Sequence, residues 1–389
     1  MLERDYLENT LLELLAIPSP SGFTDEVTRY ISKQLESMGV SYDITRRGTL
    51  RARLPGNGAE QGEPARAIVN HVDTIGAMVR RIKPDGRLLV APIGYWSSRF
   101  AEGARVTLFA EHAVYTGTLL PTVAWGVHRD AGVDDTAIDW DHIELRLDRP
   151  VLDEAGTRAL GIEVGDFIAC NSNPEILDSG YIVGRNIDNK AGVAAVLATI
   201  NKVVEEKPVL PSDIDILFTV TETVGSGAGS AMLPEVSELV TVDFASVPAS
   251  EALSYDSLTI AYGDASGPYD YHLTAHLQEL ANSNGIPCQR RVLAASHNDA
   301  AAALAAGHDV RTAVVAYAGD ATHSVERTHF SSLENMMRLL MAYVCSQPTF
   351  AHDTSTTTFS DFSHQIDADS LPARHAHDID PGDVIRRNR

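Results

Sequence analysis

The sequence predicts an α/β fold, in which a mixed β-sheet carries helices on both faces and a small β-barrel-like domain is inserted. Helical and strand patterns alternate before residue 76 and after residue 181, which is typical of a sheet covered by helices. Between residues 77 and 180, short β-like runs alternate with turn residues without a long helical pattern. The chain has 389 residues, of which 44% are hydrophobic, so it can bury a large core and is not disordered throughout.

These patterns indicate a discontinuous α/β domain over residues 1–76 and 181–348 and an inserted β-rich domain over 77–180. Residues 349–389 are rich in Ser, Thr, Asp and His but poor in large apolar residues, so we expect a flexible extension. Its histidines leave metal binding open as an alternative.

Individual elements follow from apolar spacing. Helical spacing predicts helices over 2–17 and 24–38, alternation predicts a hairpin over 41–53, and residues 67–70 form a strand that ends at His71. After residue 181 the pattern predicts, in order, helix 190–205, strand 213–221, helix 227–234, strand 238–244, strand 257–262, helix 270–283, helix 298–306, strand 311–317 and helix 331–345.

Charge and cysteine content narrow the function class. The formal net charge is −22, from 31 Lys and Arg against 53 Asp and Glu, which disfavours nucleic-acid and anionic-membrane partners. Cys170, Cys288 and Cys345 are too far apart for a disulfide framework or a CxxC zinc site, so we interpret them as small buried residues. The charged start and the lack of an 18-residue apolar run favour a cytoplasmic protein.

Five short motifs place histidine or carboxylate side chains at a strand end or a helix start. They are NHVDTIG with His71 and Asp73, GRNIDNKAG with Asp188, TETVGSGA with Glu222, VDF with Asp243, and THSVE with His323. Each one alone is also typical of a solvated strand end or a helix N-cap. Because ligands bind at the carboxyl ends of strands in open α/β sheets, we expect the five motifs to meet. Histidine and carboxylates are the ligands of hydrolytic zinc sites, and a shared carboxylate can join two ions.

In this order and spacing, the motifs resemble those of the tetrahedral (TET-type) and glutamyl aminopeptidases, which are co-catalytic metallopeptidases. The resemblance covers about residues 5–345, including the inserted domain. It implies a zinc aminopeptidase-like fold, one or two ions of zinc, cobalt or manganese per chain, short peptide substrates and a homo-oligomer, often a dodecamer. The TET variant at residues 221–223 also resembles a subgroup associated with bacterial synthesis of the osmolyte N-acetylglutaminylglutamine amide.

The resemblance implies four metal ligands: His71, Asp188, Asp243 and His323. Asp188 would bridge two ions, and Asp73 would orient the ring of His71. Glu222 matches the general base that takes a proton from the attacking water.

Two departures from the family pattern bear on activity. Thr223 stands where the family has a second glutamate, a ligand of the second ion, so that site keeps Asp188 and His323, or Glu222 moves to the metal. Residues 296–300, SHNDA, also depart from the usual GTDA pattern. The sequence therefore favours a metal-dependent aminopeptidase and leaves two alternatives open. These are a metal hydrolase acting on a small acylated or amidated dipeptide, and a catalytically impaired binding protein of the same fold.

Overall fold

A computed structural model of the chain describes residues 2–58, 62–124, 132, 134–246, 254–353, 357–358 and 362. The chain forms two compact units, residues 1–353 and residues 354–389. All the helices and strands named below belong to the first unit. Most of the extension predicted over 349–389 lies outside the described residues, so its flexibility stays a prediction.

The first unit contains both helices and strands. In chain order the strands are β1 (Ser41–Ile44), β2 (Leu50–Leu54), β3 (Ala65–His71), β4 (Gly76–Ile82), β5 (Leu88–Ile93), β6 (Arg105–Phe109), β7 (Val114–Pro121), β8 (Ile143–Leu147), β9 (Phe167–Cys170), β10 (Glu175–Ile176), β11 (Tyr181–Gly184), β12 (Ile214–Thr219), β13 (Val236–Ser246), β14 (Leu258–Asp264), β15 (Gly267–Pro268), β16 (Cys288–Leu293), β17 (Arg311–Asp320) and β18 (Glu326–His329). The helices are α1 (Leu2–Ala16), α2 (Asp25–Met38), α3 (Ser98–Ala101), α4 (Glu154–Ala159), α5 (Ile187–Glu206), α6 (Tyr271–Ser283), α7 (Asp299–Ala305) and α8 (Phe330–Cys345).

Twelve of the described strands form one mixed sheet. Nine of them follow the order β1-β2-β12-β3-β13-β17-β18-β11-β10. Beside this path, β14 pairs with β17, and β15 and β16 pair with β14. The strands β12, β3, β13 and β17 are adjacent and parallel, and all seven residues of β3 are buried. Because parallel strands point the same way, their carboxyl ends meet at one edge of the sheet.

Helices cover both faces of this sheet. On one face, apolar side chains of α1, α2, α5, α6 and α8 pack in a common core with Ile68. On the other face, α7 and a 3-10 turn, Gly227–Ser230, pack against Val69 and Leu217. Successive residues of a strand point to opposite faces, so Ile68 and Val69 enter different cores. This arrangement confirms the predicted fold class.

In chain order, a closed barrel of six described strands lies between β3 and β10. The strand order around it is β4-β5-β8-β7-β6-β9, and its apolar interior is a separate core that includes Val106 and Leu145. The barrel confirms the predicted β-barrel-like insertion. Within the range predicted for that domain, β10 pairs with β11 and therefore belongs to the main sheet.

Local differences from the sequence prediction have identifiable causes. The helix predicted over 227–234 is wrong: the segment forms only the 3-10 turn Gly227–Ser230, because glycines there lower helix propensity. The strands β16 and β18 were not predicted, since they are short and carry several charged residues. Among the described helices, none is long and apolar enough to cross a bilayer.

Candidate metal centre

The six predicted site residues converge at the carboxyl edge of the parallel strands. His71 ends β3, Asp243 lies in β13, and Glu222 follows β12. Asp188 is the second residue of α5, and His323 lies in the loop after β17. Parallel pairing places the ends of β3 and β12 side by side, with Thr219 as the register partner of His71.

Three of these side chains form a cluster suited to one cation. One ligand atom each from His71, Asp188 and Asp243 lies within 4.8 Å of the others. The distance from His71 Nε2 is 3.3 Å to Asp188 Oδ1 and 3.9 Å to Asp243 Oδ1. Asp188 Oδ1 is buried and has no hydrogen-bond donor of normal geometry among the described residues. One imidazole and two carboxylates fit a divalent ion, which would supply the partner that this oxygen lacks.

The His71 ring is oriented by main chain more than by a carboxylate. Its Nδ1 lies 2.9 Å from the backbone oxygen of Asp73 and 3.6 Å from the Asp73 Oδ1 atom. The Asp73 carboxylate instead accepts hydrogen bonds from the Ser21 hydroxyl and from the backbone amides of Glu222 and Thr223. Asp73 therefore joins the His71 segment to the turn that carries Glu222.

The pKa shifts of the clustered side chains indicate that the site attracts positive charge. Burial raises the pKa of Glu222 well above its usual range, and nearby carboxylates raise it further. Burial and the charge of Asp188 raise the pKa of Asp243 to about 8. Burial alone would lower the pKa of His71, but the charges of Glu222 and Asp188 hold it well above its usual range. In this state protons offset the excess of negative charge, and a bound cation would do so instead.

The His323 side of Asp188 has fewer ligand groups. His323 Nε2 lies 3.6 Å from Asp188 Oδ2, which also accepts a 2.8 Å hydrogen bond from the Thr322 hydroxyl. The other ring nitrogen of His323, Nδ1, lies 2.7 Å from the backbone oxygen of Tyr95, in the segment that follows β5 of the barrel. Thr223 is buried, and its hydroxyl donates to the backbone oxygen of Asp73 over 3.4 Å.

Two buried carboxylates near the site were not singled out from the sequence. Glu326, in the THSVE motif, accepts backbone hydrogen bonds from Asp188 and His323. Asp299, the first residue of α7, is fully buried, and burial raises its pKa to about 6. A Cβ atom added to Gly227 would lie 2.4 Å from Asp299 Oδ1, so this close approach requires glycine. Both residues lie in segments that the sequence analysis already quotes, Glu326 in THSVE and Asp299 in SHNDA.

Glu222 lies beside the three-residue cluster. Its Oε2 atom is 3.5 Å from His71 Nε2. The arrangement combines a cluster suited to a cation with an adjacent carboxylate whose pKa is raised, and metal-assisted hydrolysis uses such a combination.

Comparison with known proteins agrees with this chemistry. Residues 48–339 match a family model described as M42 glutamyl aminopeptidase. The chain is 38% identical over 336 residues to the Bacillus subtilis (strain 168) protein YhfE, named as an aminopeptidase, covering 86% of this chain and 96% of YhfE.

Solved structures share the fold. The aminopeptidase APDkam598 from Desulfurococcus kamchatkensis superposes with a TM-score of 0.78 at 22% identity, covering 88% of this chain and 95% of that one. The Pyrococcus horikoshii TET1 peptidase, described as assembling into a tetrahedron or a large octahedral shell, gives a TM-score of 0.75 at 22% identity, covering 87% and 99%. The chain is therefore a peptidase that belongs to the M42 glutamyl aminopeptidase family.

Proposed function

We propose that this protein is a metal-dependent aminopeptidase that removes N-terminal residues from short peptides. The observation that carries the proposal is the cluster of His71, Asp188 and Asp243, with Glu222 3.5 Å from the imidazole of His71. When bound, a divalent ion polarises the scissile carbonyl and lowers the pKa of water. Among divalent ions, zinc fits the imidazole and carboxylate ligands best, and cobalt and manganese also accept such ligands.

Each residue has a separate role in this proposal. His71, Asp188 and Asp243 would hold the first ion, and Asp188 with His323 would form a second, weaker position. Glu222 accepts the proton of the attacking water and delivers it to the leaving amine, which suits a carboxylate of raised pKa. Asp73 holds the backbone amides of Glu222 and Thr223, so it fixes the base relative to His71.

Thr223 supports unequal occupancy of the two positions. A neutral hydroxyl is a poor ligand beside carboxylate or imidazole, and this hydroxyl already donates to the Asp73 backbone. We therefore expect one firmly held ion per chain and a second that is weak or absent.

A substrate screen tests the activity. Metal-free protein is reloaded with zinc, cobalt or manganese and assayed on amino-acid and peptide amides, both free and N-acetylated. Turnover confined to free amines is the expected result. Turnover of blocked substrates would instead support a hydrolase of acylated dipeptides, and retained metal without turnover would support a binding protein.

Assembly and location extend the proposal. The assembly of the TET1 peptidase into a tetrahedron or a large octahedral shell supports a homo-oligomer for this chain, and a dodecamer is the form we expect. Light scattering tests this as a multiple of the 42.0-kDa chain mass. We also infer a cytoplasmic location, because all three cysteines are free, as is usual in reducing compartments. Localisation of a tagged chain in cell fractions tests that inference.

A further inference from the structure

Glu326, the first residue of β18, is a buried carboxylate to which the proposed reaction gives no chemical step. Its side chain bonds to two separate segments of the site. The Oε2 atom accepts the backbone N–H of Asp188 at 3.0 Å, and Oε1 accepts the backbone N–H of His323 at 2.8 Å. One carboxylate therefore connects the start of α5 to the loop after β17.

The sheet register explains how Glu326 reaches both segments. Glu326 is the register partner of Gly184, the last residue of β11, and Asp188 follows Gly184 by four residues. On its other side, β18 pairs with the end of β17, which leads into the loop of His323. Glu326 thus lies between the two chain segments that deliver Asp188 and His323.

Both segments contain backbone conformations that need support. Asn186 has φ 63° and His323 has φ 65°, in the left-handed region that costs energy for residues other than glycine. A buried amide that loses its acceptor bears the full desolvation cost of an unpaired N–H, so the two bonds to Glu326 stabilise these conformations. The Glu326 carboxylate is 1% exposed, so water does not compete for these bonds.

We infer that Glu326 is a positioning residue that holds Asp188 and His323 at a fixed separation through their backbone amides. The side chains of these residues then face each other, with His323 Nε2 3.6 Å from Asp188 Oδ2. The effect on ion binding rests on the proposed function, whereas the effect on the two backbone segments does not.

The test compares Glu326→Gln with Glu238→Gln in the full chain. Glutamine keeps the size of the side chain, but its NH₂ group would face one of the two N–H donors. Glu238 is the matched control, because it is also 1% exposed and accepts hydrogen bonds from the Tyr343 hydroxyl and the Thr349 amide. It lies in β13 about 17 Å along the strand from Asp243, well away from the site.

The first measurement is hydrogen exchange of the metal-free proteins, resolved by peptide. In Glu326→Gln, we expect at least one of segments 185–191 and 320–325 to exchange at least about tenfold faster than in the unmodified chain, because the backbone N–H that faces the new NH₂ group loses its buried acceptor. In Glu238→Gln, these segments should exchange as in the unmodified chain. Unchanged exchange in Glu326→Gln would overturn the inference, whatever the protein binds.

The second measurement is titration with Co²⁺, followed by visible absorption. Glu326→Gln should weaken binding about 10–100-fold, as losing a group that orients a ligand usually does, and should alter the absorption bands. Glu238→Gln should leave both unchanged. If the unmodified chain binds no Co²⁺, the proposed function is refuted. Faster exchange in Glu326→Gln would still support the positioning role in that case.

Glu326→Asp covers the case in which the glutamine variant does not fold. It keeps the carboxyl group but shortens the side chain, so at least one amide loses its bond. Faster exchange in either segment would support the inference, and exchange as in the unmodified chain would overturn it.

Discussion

The two sides of Asp188 are built differently. On the His71 side, β3 and β13 of the main sheet supply His71 and Asp243 from adjacent parallel strands. On the His323 side, the proposed ligand His323 comes from a loop. Its ring contacts the Tyr95 carbonyl, and its backbone N–H donates to Glu326. The sheet edge supplies two of the three side chains of the first position, whereas the second depends on segments from distant parts of the chain.

The charge of the two sides differs as well. Glu222 and Asp243 both lie near His71, but Thr223 contributes only a hydroxyl that already has a backbone acceptor. The following variants ask whether the first position really holds the tighter ion and whether Glu222 belongs to the reaction rather than to the ligand set.

Glu222→Gln should have the largest effect. If Glu222 is the general base, turnover should fall about 10²–10⁴-fold, or about 3–5 kcal/mol of transition-state stabilisation, because the amide cannot accept the proton. Metal content, measured by elemental analysis on the same preparation, should not change.

Glu238→Gln again provides the control for loss of a buried carboxylate. If Glu222→Gln loses both metal and activity, Glu222 is a metal ligand. The contrast between the His71 side and the His323 side of Asp188 would then no longer hold. Activity retained within about threefold would exclude both roles.

Asp243→Asn and His323→Ala compare the two positions directly. We expect Asp243→Asn to weaken the tight ion by more than about 100-fold, since removing a ligand costs more than removing a group that orients one. His323→Ala should weaken it by less than about tenfold. Calorimetric titration of metal-free protein gives both affinities, and equal losses would mean that the two positions are not distinct.

Thr223→Glu should strengthen the second position by about tenfold or more, because it adds an anionic ligand. Two ions per chain should then survive dialysis, and peptidase activity should rise. Thr223→Gln is the matched control, since it adds the same bulk without charge. Equal metal content in the two variants would show that residue 223 does not face the second position.

Gly94→Ala should have the smallest effect. Gly94 has φ 82°, and a Cβ there would lie 2.4 Å from Thr223 Cγ2, so the segment that carries Tyr95 must shift. Gly103→Ala carries a similar backbone cost at φ 79° but meets nothing within 4 Å. We expect Gly94→Ala to be about 1 kcal/mol more destabilising in thermal unfolding. Equal midpoints for the two variants would mean that the packing against Thr223 is not tight.

Much of the fold could be predicted from the sequence because its central strands are apolar and followed by polar residues. Parallel strands bring such residues to one edge, so the approach of His71, Asp243 and Glu222 followed from topology alone. The structure confirms their proximity, and their roles remain our proposal.

The supporting contacts could not be predicted, for physical reasons. His71 contacts the backbone oxygen of Asp73, and His323 contacts that of Tyr95. Every residue has a backbone carbonyl, so residue type does not reveal such contacts. Tyr95 and His323 are also 228 residues apart, so no local pattern links them. The role of the Glu326 carboxylate depends on the pairing of β18 with β11, and β18 is too short and too polar to recognise as a strand.

The way the chain enters and leaves the barrel has a consequence for engineering. Gly76 in β4 and Ala169 in β9 are register partners, so the barrel begins and ends at neighbouring points about 5 Å apart. A short linker could therefore replace the whole barrel without stretching the sheet that carries His71 and Asp243. Such a miniature enzyme would keep the first cation position but would lose the Tyr95 carbonyl that orients His323. Removing the barrel would therefore separate the support of the second cation position from the residues of the first.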